Sequence, residues 1–243
     1  DPETGVVFEP PNLAGWRDVP LGTMLFDATG VPTWVENDAN AAALGEAWVG
    51  AAVGARDLIY ITVSTGIGGG LILNGELYHG VSGTAGEIGH MTVEPDGPVC
   101  TCGRRGHLEA VASGQAIARM AEEAVQAGRQ TRLAALPPGA LTAAAVAQAA
   151  FDGDAVAREV YARAGHYIGI AVASLVNVLN PAMVVFGGGV SKVGDLLFDT
   201  VRRVVGERAF ERPAEAARIV PAALGDEVGV IGAAAVVYRR AAS

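Results

Sequence analysis

At 243 residues the chain fits one large domain or two modest ones, and 51% hydrophobic against 18% charged residues lets it bury a sizeable core, which excludes intrinsic disorder. Two cysteines exclude a disulfide framework. A net charge of −9 opposes contact with phosphate backbones or anionic lipid, so neither nucleic acid nor a membrane surface is an expected partner.

The chain opens at Asp1 without Met, and Asp1-Pro2-Glu3-Thr4-Gly5 reads as a turn, with neither the basic region nor the apolar core of a leader. A processed chain or a piece of a longer protein is expected. Thr33-Trp34-Val35 reads as a short strand, followed by a helix from Asp38 to about Trp48 with Asn37 or Asp38 as its cap. Leu58–Val63 is a buried strand, and Asn74-Gly75 joins strands 69–73 and 76–78 as a hairpin. One long helix is expected from Glu109 to Gln126, closed by Gly128, then an exposed connection over 129–140. Helices follow near 142–151 and 154–179, a buried strand at 183–186, a helix near 193–208, a strand at Ile219-Val220 and a closing helix from Gly229 to Arg240. The uncharged stretch between Arg163 and Lys192 is not a membrane span: Asn177, Asn180 and Pro181 divide it into a buried helix and a buried strand.

Four clusters carry possible chemistry. In Glu36-Asn37-Asp38-Ala39-Asn40 a strand gives way to a helix, so Asp38 either caps that helix or presents a carboxylate that accepts a proton from a substrate hydroxyl. Ser64-Thr65-Gly66-Ile67-Gly68-Gly69-Gly70 follows a buried strand, and its glycines let backbone N–H groups approach an anion. A strand follows these glycines and Leu71 occupies the third-glycine position, so this is no dinucleotide fingerprint; a hairpin touching phosphate fits better. Phe186-Gly187-Gly188-Gly189-Val190-Ser191 is a second glycine-rich strand exit, either a tight turn or a place for a nucleoside. Finally, Gly86-Glu87-Ile88-Gly89-His90 precedes Cys100-Thr101-Cys102-Gly103-Arg104-Arg105-Gly106-His107-Leu108-Glu109. Two thiols one residue apart are poorly placed to bond each other; either they and two imidazoles make a closed tetrahedral zinc set, or they are two free thiols beside surface histidines.

In this order the motifs, with Asn12-Leu13-Ala14-Gly15-Trp16 ahead of them, resemble ROK-family sugar kinases over essentially the whole chain, bacterial glucokinases above all. The resemblance implies the α/β actin-like ATPase (ribonuclease H-like) fold, a mixed sheet flanked by helices. Residues 1–35 and the closing helix 229–243 would belong to an incomplete small domain, and 36–228 would form the large domain with a zinc segment at 90–109. It implies ATP-dependent phosphorylation of a hexose primary hydroxyl, glucose before other hexoses, with Asp38 as general base. Asn37, Glu87, His90 and Glu109 would bind the other hydroxyls, with Asn12 at the rim. Thr65, Gly66 and Gly68 would approach the ATP phosphates, Gly187 and Gly188 would face the adenosine, and Mg²⁺ would accompany ATP.

His90, Cys100, Cys102 and His107 would hold structural Zn²⁺, His107 standing where the family has a third cysteine. The family's Asp-x-Gly-Gly-Thr phosphate loop is not in this sequence, so turnover by these 243 residues alone is expected to be impaired. A cytoplasmic homo-oligomer, dimer or tetramer, is the family expectation. The same fold also serves sugar-sensing ROK repressors, the alternative reading.

Overall fold

The computed structural model describes residues 1–8, 15–137 and 139–242, so the expected rim residue Asn12 lies outside the described residues. In chain order the elements are α1 (Leu21–Thr29), α2 (Asp38–Val49), β1 (Leu58–Val63), β2 (Ile67–Leu73), β3 (Glu76–Leu77), α3 (Leu108–Ala112), α4 (Gly114–Gln126), α5 (Ala143–Phe151), α6 (Ala155–Leu179), β4 (Met183–Gly187), α7 (Asp195–Arg208), α8 (Glu211–Ala216), β5 (Arg218–Pro221) and α9 (Val228–Ala242). The strands form one mixed sheet in the order β3-β2-β1-β4-β5. β1 runs parallel to β4 and antiparallel to β2, with Leu58 opposite both Met183 and Ile72.

Period-two alternation in the central strands builds two cores. Ile59, Ile61 and Val63 of β1, with Val184 and Phe186 of β4, pack under α3–α7. Leu58 and Tyr60, with Met183 and Val185, face α2 and α9 instead. Because both faces are covered, β1 and β4 read as continuous apolar runs.

α6 passes a length-and-composition test for crossing a membrane, yet twelve of its residues from Val156 to Val176 are buried, and it is a core helix beside α7. Its N-cap Asp154 takes the Ala157 N–H at 3.0 Å, and its C-cap Asn180 adopts left-handed backbone.

Several expectations need correction. Thr33-Trp34-Val35 is extended but unladdered, because no described strand runs beside it. Tyr78 lies past the end of β3, although its N–H still reaches Leu71 O. The expected long helix is two, broken at Ser113, whose hydroxyl accepts from Ala116 N–H and starts α4 afresh. That break lets Gly114 N–H donate to Ser64 O at 2.7 Å, bringing α4 onto the loop after β1. The helix placed near 193 begins at Asp195, after a 3₁₀ turn over Val190–Val193. α1 and α8, too short to show a period, were not expected. The closing helix packs along α2, with Ala235 and Val236 in the α2 core, and reaches the first segment through Arg240 to Pro2 O at 3.2 Å.

Candidate active site

Asp38 opens α2 at the edge of the sheet. Asn37 is the cap: its Oδ1 accepts from Ala39 N–H at 2.9 Å and Asn40 N–H at 3.1 Å. Asp38 Oδ1 shares the Ala39 N–H at 2.8 Å, which fixes the carboxyl while the residue stays exposed. Of the two expected caps the structure uses Asn37, and the Asp38 carboxylate stands exposed at the first turn of the helix. Behind α2, burial first, then Glu46 and Asp38, push the Tyr60 hydroxyl up to about 12, against a lowering bond from Thr62.

The glycines of β2 bring the next elements close. Gly68 and Gly70 face α2: a Cβ on Gly70 would lie 2.7 Å from Ala39 O and 2.9 Å from the Ala43 Cβ. On the other face, a Cβ on Gly69 would lie 2.7 Å from Gly86 O and 2.7 Å from Ile88 Cγ1. A Cβ on Gly68 would lie 3.1 Å from Thr62 Cγ2 and 3.4 Å from the Ala39 Cβ, so this position packs closely against β1 and α2. The result is a strand with the α2 N-terminus on one side and the Gly86–His90 turn, carrying Glu87 and His90, on the other.

That turn joins the metal-ligating cluster. Donor atoms of His90, Cys100, Cys102 and His107 all lie within 4.8 Å of one another, a group that could hold a metal ion. His90 Nδ1 sits 3.7 Å from Cys100 Sγ, and His107 Nδ1 sits 3.2 Å from Cys102 Sγ. Tetrahedral zinc with ~2.0–2.3 Å bonds needs donors about 3.3–3.8 Å apart, so these two pairs lie near that spacing and small shifts of side chains would close the rest. Burial, then His90 and Arg104, lower the His107 imidazole, leaving a neutral donor. Gly106, at φ +70°, permits the turn that returns the chain to His107. His90 turns its other nitrogen outward, with Nε2 3.8 Å from Glu87 Oε2.

Glu109 ties this segment to the loop after β1. Oε2 accepts the Ile67 N–H at 3.0 Å, and Oε1 accepts from the Thr101 hydroxyl at 3.1 Å. A Cβ on Gly66 would meet the Glu109 carboxylate and displace it. Ser64 and Thr65 line a cavity of about 570 Å³ with Gln115, Phe151, Tyr161 and Gly189, while Gly187 and Gly188 line a neighbouring one of about 420 Å³. Gly188 needs its positive φ of +85°, and a side chain on Gly187 would strike the Tyr60 hydroxyl. Lys192, the single lysine of the sequence, lines both cavities and pairs with Asp226 at 2.6 Å.

Sequence reasoning missed four residues here: His79, bonded to Glu36; Thr101, bonded to Glu109; Lys192; and Glu46, fully buried. Only Glu46 left a trace, as a lone acid inside an Ala-rich helix.

The ROK family model matches residues 1–240. The chain belongs to the ROK family. It is 46% identical to a glucokinase of Halalkalibacterium halodurans over 233 residues, 95% of this chain and 70% of that one. A Streptomyces griseus ROK glucokinase solved with glucose and AMPPNP superposes with a TM-score of 0.83 at 35% identity, over 96% of this chain and 76% of that one. A ROK transcriptional regulator, a homologue of the Escherichia coli Mlc protein, gives 0.89 at 31% identity, over 96% of this ROK chain but 58% of the regulator. The actin-like ATPase fold expected from the motifs is the fold of these neighbours.

Proposed function

We propose that the protein is an ATP-dependent hexose kinase that phosphorylates the primary hydroxyl of glucose. The observation that carries this is Asp38, displayed at the first turn of α2 with one oxygen pinned by Ala39 N–H. The 46% identity to a glucokinase supports the same reading. Asp38 accepts the proton as the sugar oxygen bonds to the γ-phosphorus and the bond from that phosphorus to the β-phosphate oxygen breaks, releasing ADP. Positioning and charge neutralisation do most of the work in such transfers. Asn37, Glu87, His90 and Glu109 bind the remaining hydroxyls, Thr65 and Gly66 meet the phosphates, and Gly187 and Gly188 meet the nucleoside. His90, Cys100, Cys102 and His107 hold structural zinc, which would lock the segment and fix the His90 imidazole through Nδ1.

In the full-length protein, Asp38→Asn should lower kcat by about 10²–10⁴-fold while glucose Kd, by calorimetry, stays within a few-fold. Equal loss of glucose binding would make Asp38 a sugar holder instead. The match to an Mlc-like regulator favours a second reading, a sugar-sensing repressor. It predicts glucose binding without ADP release, and sugar-dependent operator binding by the full-length protein.

A further inference from the structure

The pair Glu36–His79 has no part in the chemistry above, yet it joins the two walls of the site. The Glu36 side chain is only 7% exposed, and both its oxygens are engaged. Oε1 accepts the Asn37 N–H at 3.0 Å and the Asn40 Nδ2–H at 3.0 Å. Oε2 stands 2.8 Å from His79 Nε2. An ionised carboxylate has no proton to give, so Nε2 carries the hydrogen and His79 donates. A carboxylate buried to this degree is costly unless fully bonded. Here its bonds go to the residue before Asp38, to a buried asparagine within α2, and to a loop 43 residues downstream.

That loop is closed on itself. Ala85 N–H returns to His79 O at 2.9 Å, the Ser82 and Thr84 hydroxyls meet at 2.7 Å, and Gly80 and Gly83 take positive φ. It ends at Gly86, wedged against Gly69, and the next residue is Glu87. Displacing His79 therefore moves the approach to Glu87, while displacing Glu36 moves the peptide N–H of Asn37 and, through it, Asp38.

We propose that Glu36 and His79 are positioning residues that set the Asn37–Asp38 turn against the Glu87 loop, and thereby the placement of the sugar hydroxyl over Asp38. This rests on the kinase reading. A misplacement of ~1 Å at a reacting centre costs on the order of a hundredfold in rate.

The test compares His79→Leu, which removes the donor, His79→Gln, which restores an N–H donor, and Glu36→Gln, in the full-length protein. Steady-state kinetics, glucose Kd by calorimetry and Tm are read together. His79→Leu and Glu36→Gln should lower kcat about ten- to hundredfold and raise glucose KM several-fold, with ATP KM unchanged. His79→Gln should recover most of both losses at any Tm. Wild-type kinetics in His79→Leu, an equal rise in ATP KM, or a loss that follows Tm and is not rescued by Gln would overturn the proposal. If the wild type binds glucose without turning it over, the kinase reading falls. The pair is then judged on glucose Kd alone: weakened in Leu and restored in Gln upholds it, and unchanged in Leu overturns it.

Discussion

His107 decides what kind of metal set this chain could hold. Its Nδ1 lies 3.2 Å from Cys102 Sγ, the residue is buried, and burial lowers its imidazole, which favours the neutral form that a metal ligand needs. Two thiolates and two neutral imidazoles leave a zinc site with no net charge, which suits a cluster whose Cys100 is buried. His107→Ala should remove one of four ligands and lower zinc content well below one per chain, measured by elemental analysis. His107→Cys should retain it, because a thiolate reaches the same corner of a tetrahedron. Equal zinc in wild type and His107→Ala would take His107 out of the site. This cluster was legible in the sequence because all four donors fall between His90 and His107, and local spacing alone brings them together. The Glu36–His79 bond was not legible: its partners are 43 residues apart, and only the packing of β2 against α2 and the Gly86–His90 turn brings them near.

At the scale of elements, the glycines of β2 separate what a pattern shows from what a neighbour imposes. In the Gly68-Gly69-Gly70 run, Gly70 marks the close approach of the α2 backbone on one face and Gly69 that of the Gly86–His90 turn on the other, contacts that no local pattern shows. Strands and helices with strong internal periods, β1, the Asn74-Gly75 hairpin, α6 and β4, stood where the sequence placed them. Both hairpin residues carry the positive φ that a tight two-residue turn needs, +57° and +88°. The break at Ser113 was not read from the sequence: the Ser113 cap is a weak local signal, and the Gly114 N–H bond to Ser64 O that accompanies the break spans 50 residues. Gly69→Ala puts a methyl 2.7 Å from Gly86 O, where backbone must yield. It should cost about 1–3 kcal/mol of stability, read by denaturant unfolding. Since the yielding turn carries Glu87 and His90, glucose KM should rise while ATP KM holds. A parallel rise in ATP KM would mean that the strand as a whole had moved.

Across the whole molecule, the helix bearing Asp38 is held in place by the far end of the chain. α9 lies along α2 with Gly232 against Ala41 O and Gly45, a backbone approach that side chains would prevent. Glu46 completes the link: Oε2 accepts from Ala51 N–H at 2.7 Å and Ala223 N–H at 3.1 Å, and Oε1 from Leu224 N–H at 2.9 Å. This carboxylate is 0% exposed, and three backbone donors satisfy it. One end of α2 therefore offers Asp38 to the site while the other is moored to the segment that leads into α9. Removing the mooring should act on stability first. Glu46→Ala takes the acceptor from three part-buried N–H groups, at up to roughly 1–3 kcal/mol each before relaxation and rehydration. The expected net loss is about 3–5 kcal/mol, which for a chain of this size lowers Tm by about 6–20 °C, measured by circular dichroism. Below the new transition, glucose KM should stay near wild type, because the Asn37 cap and the Glu36–His79 bond hold the other end of α2 independently. A large glucose KM change with little loss of Tm would instead mean that Glu46 acts on the site through the length of the helix.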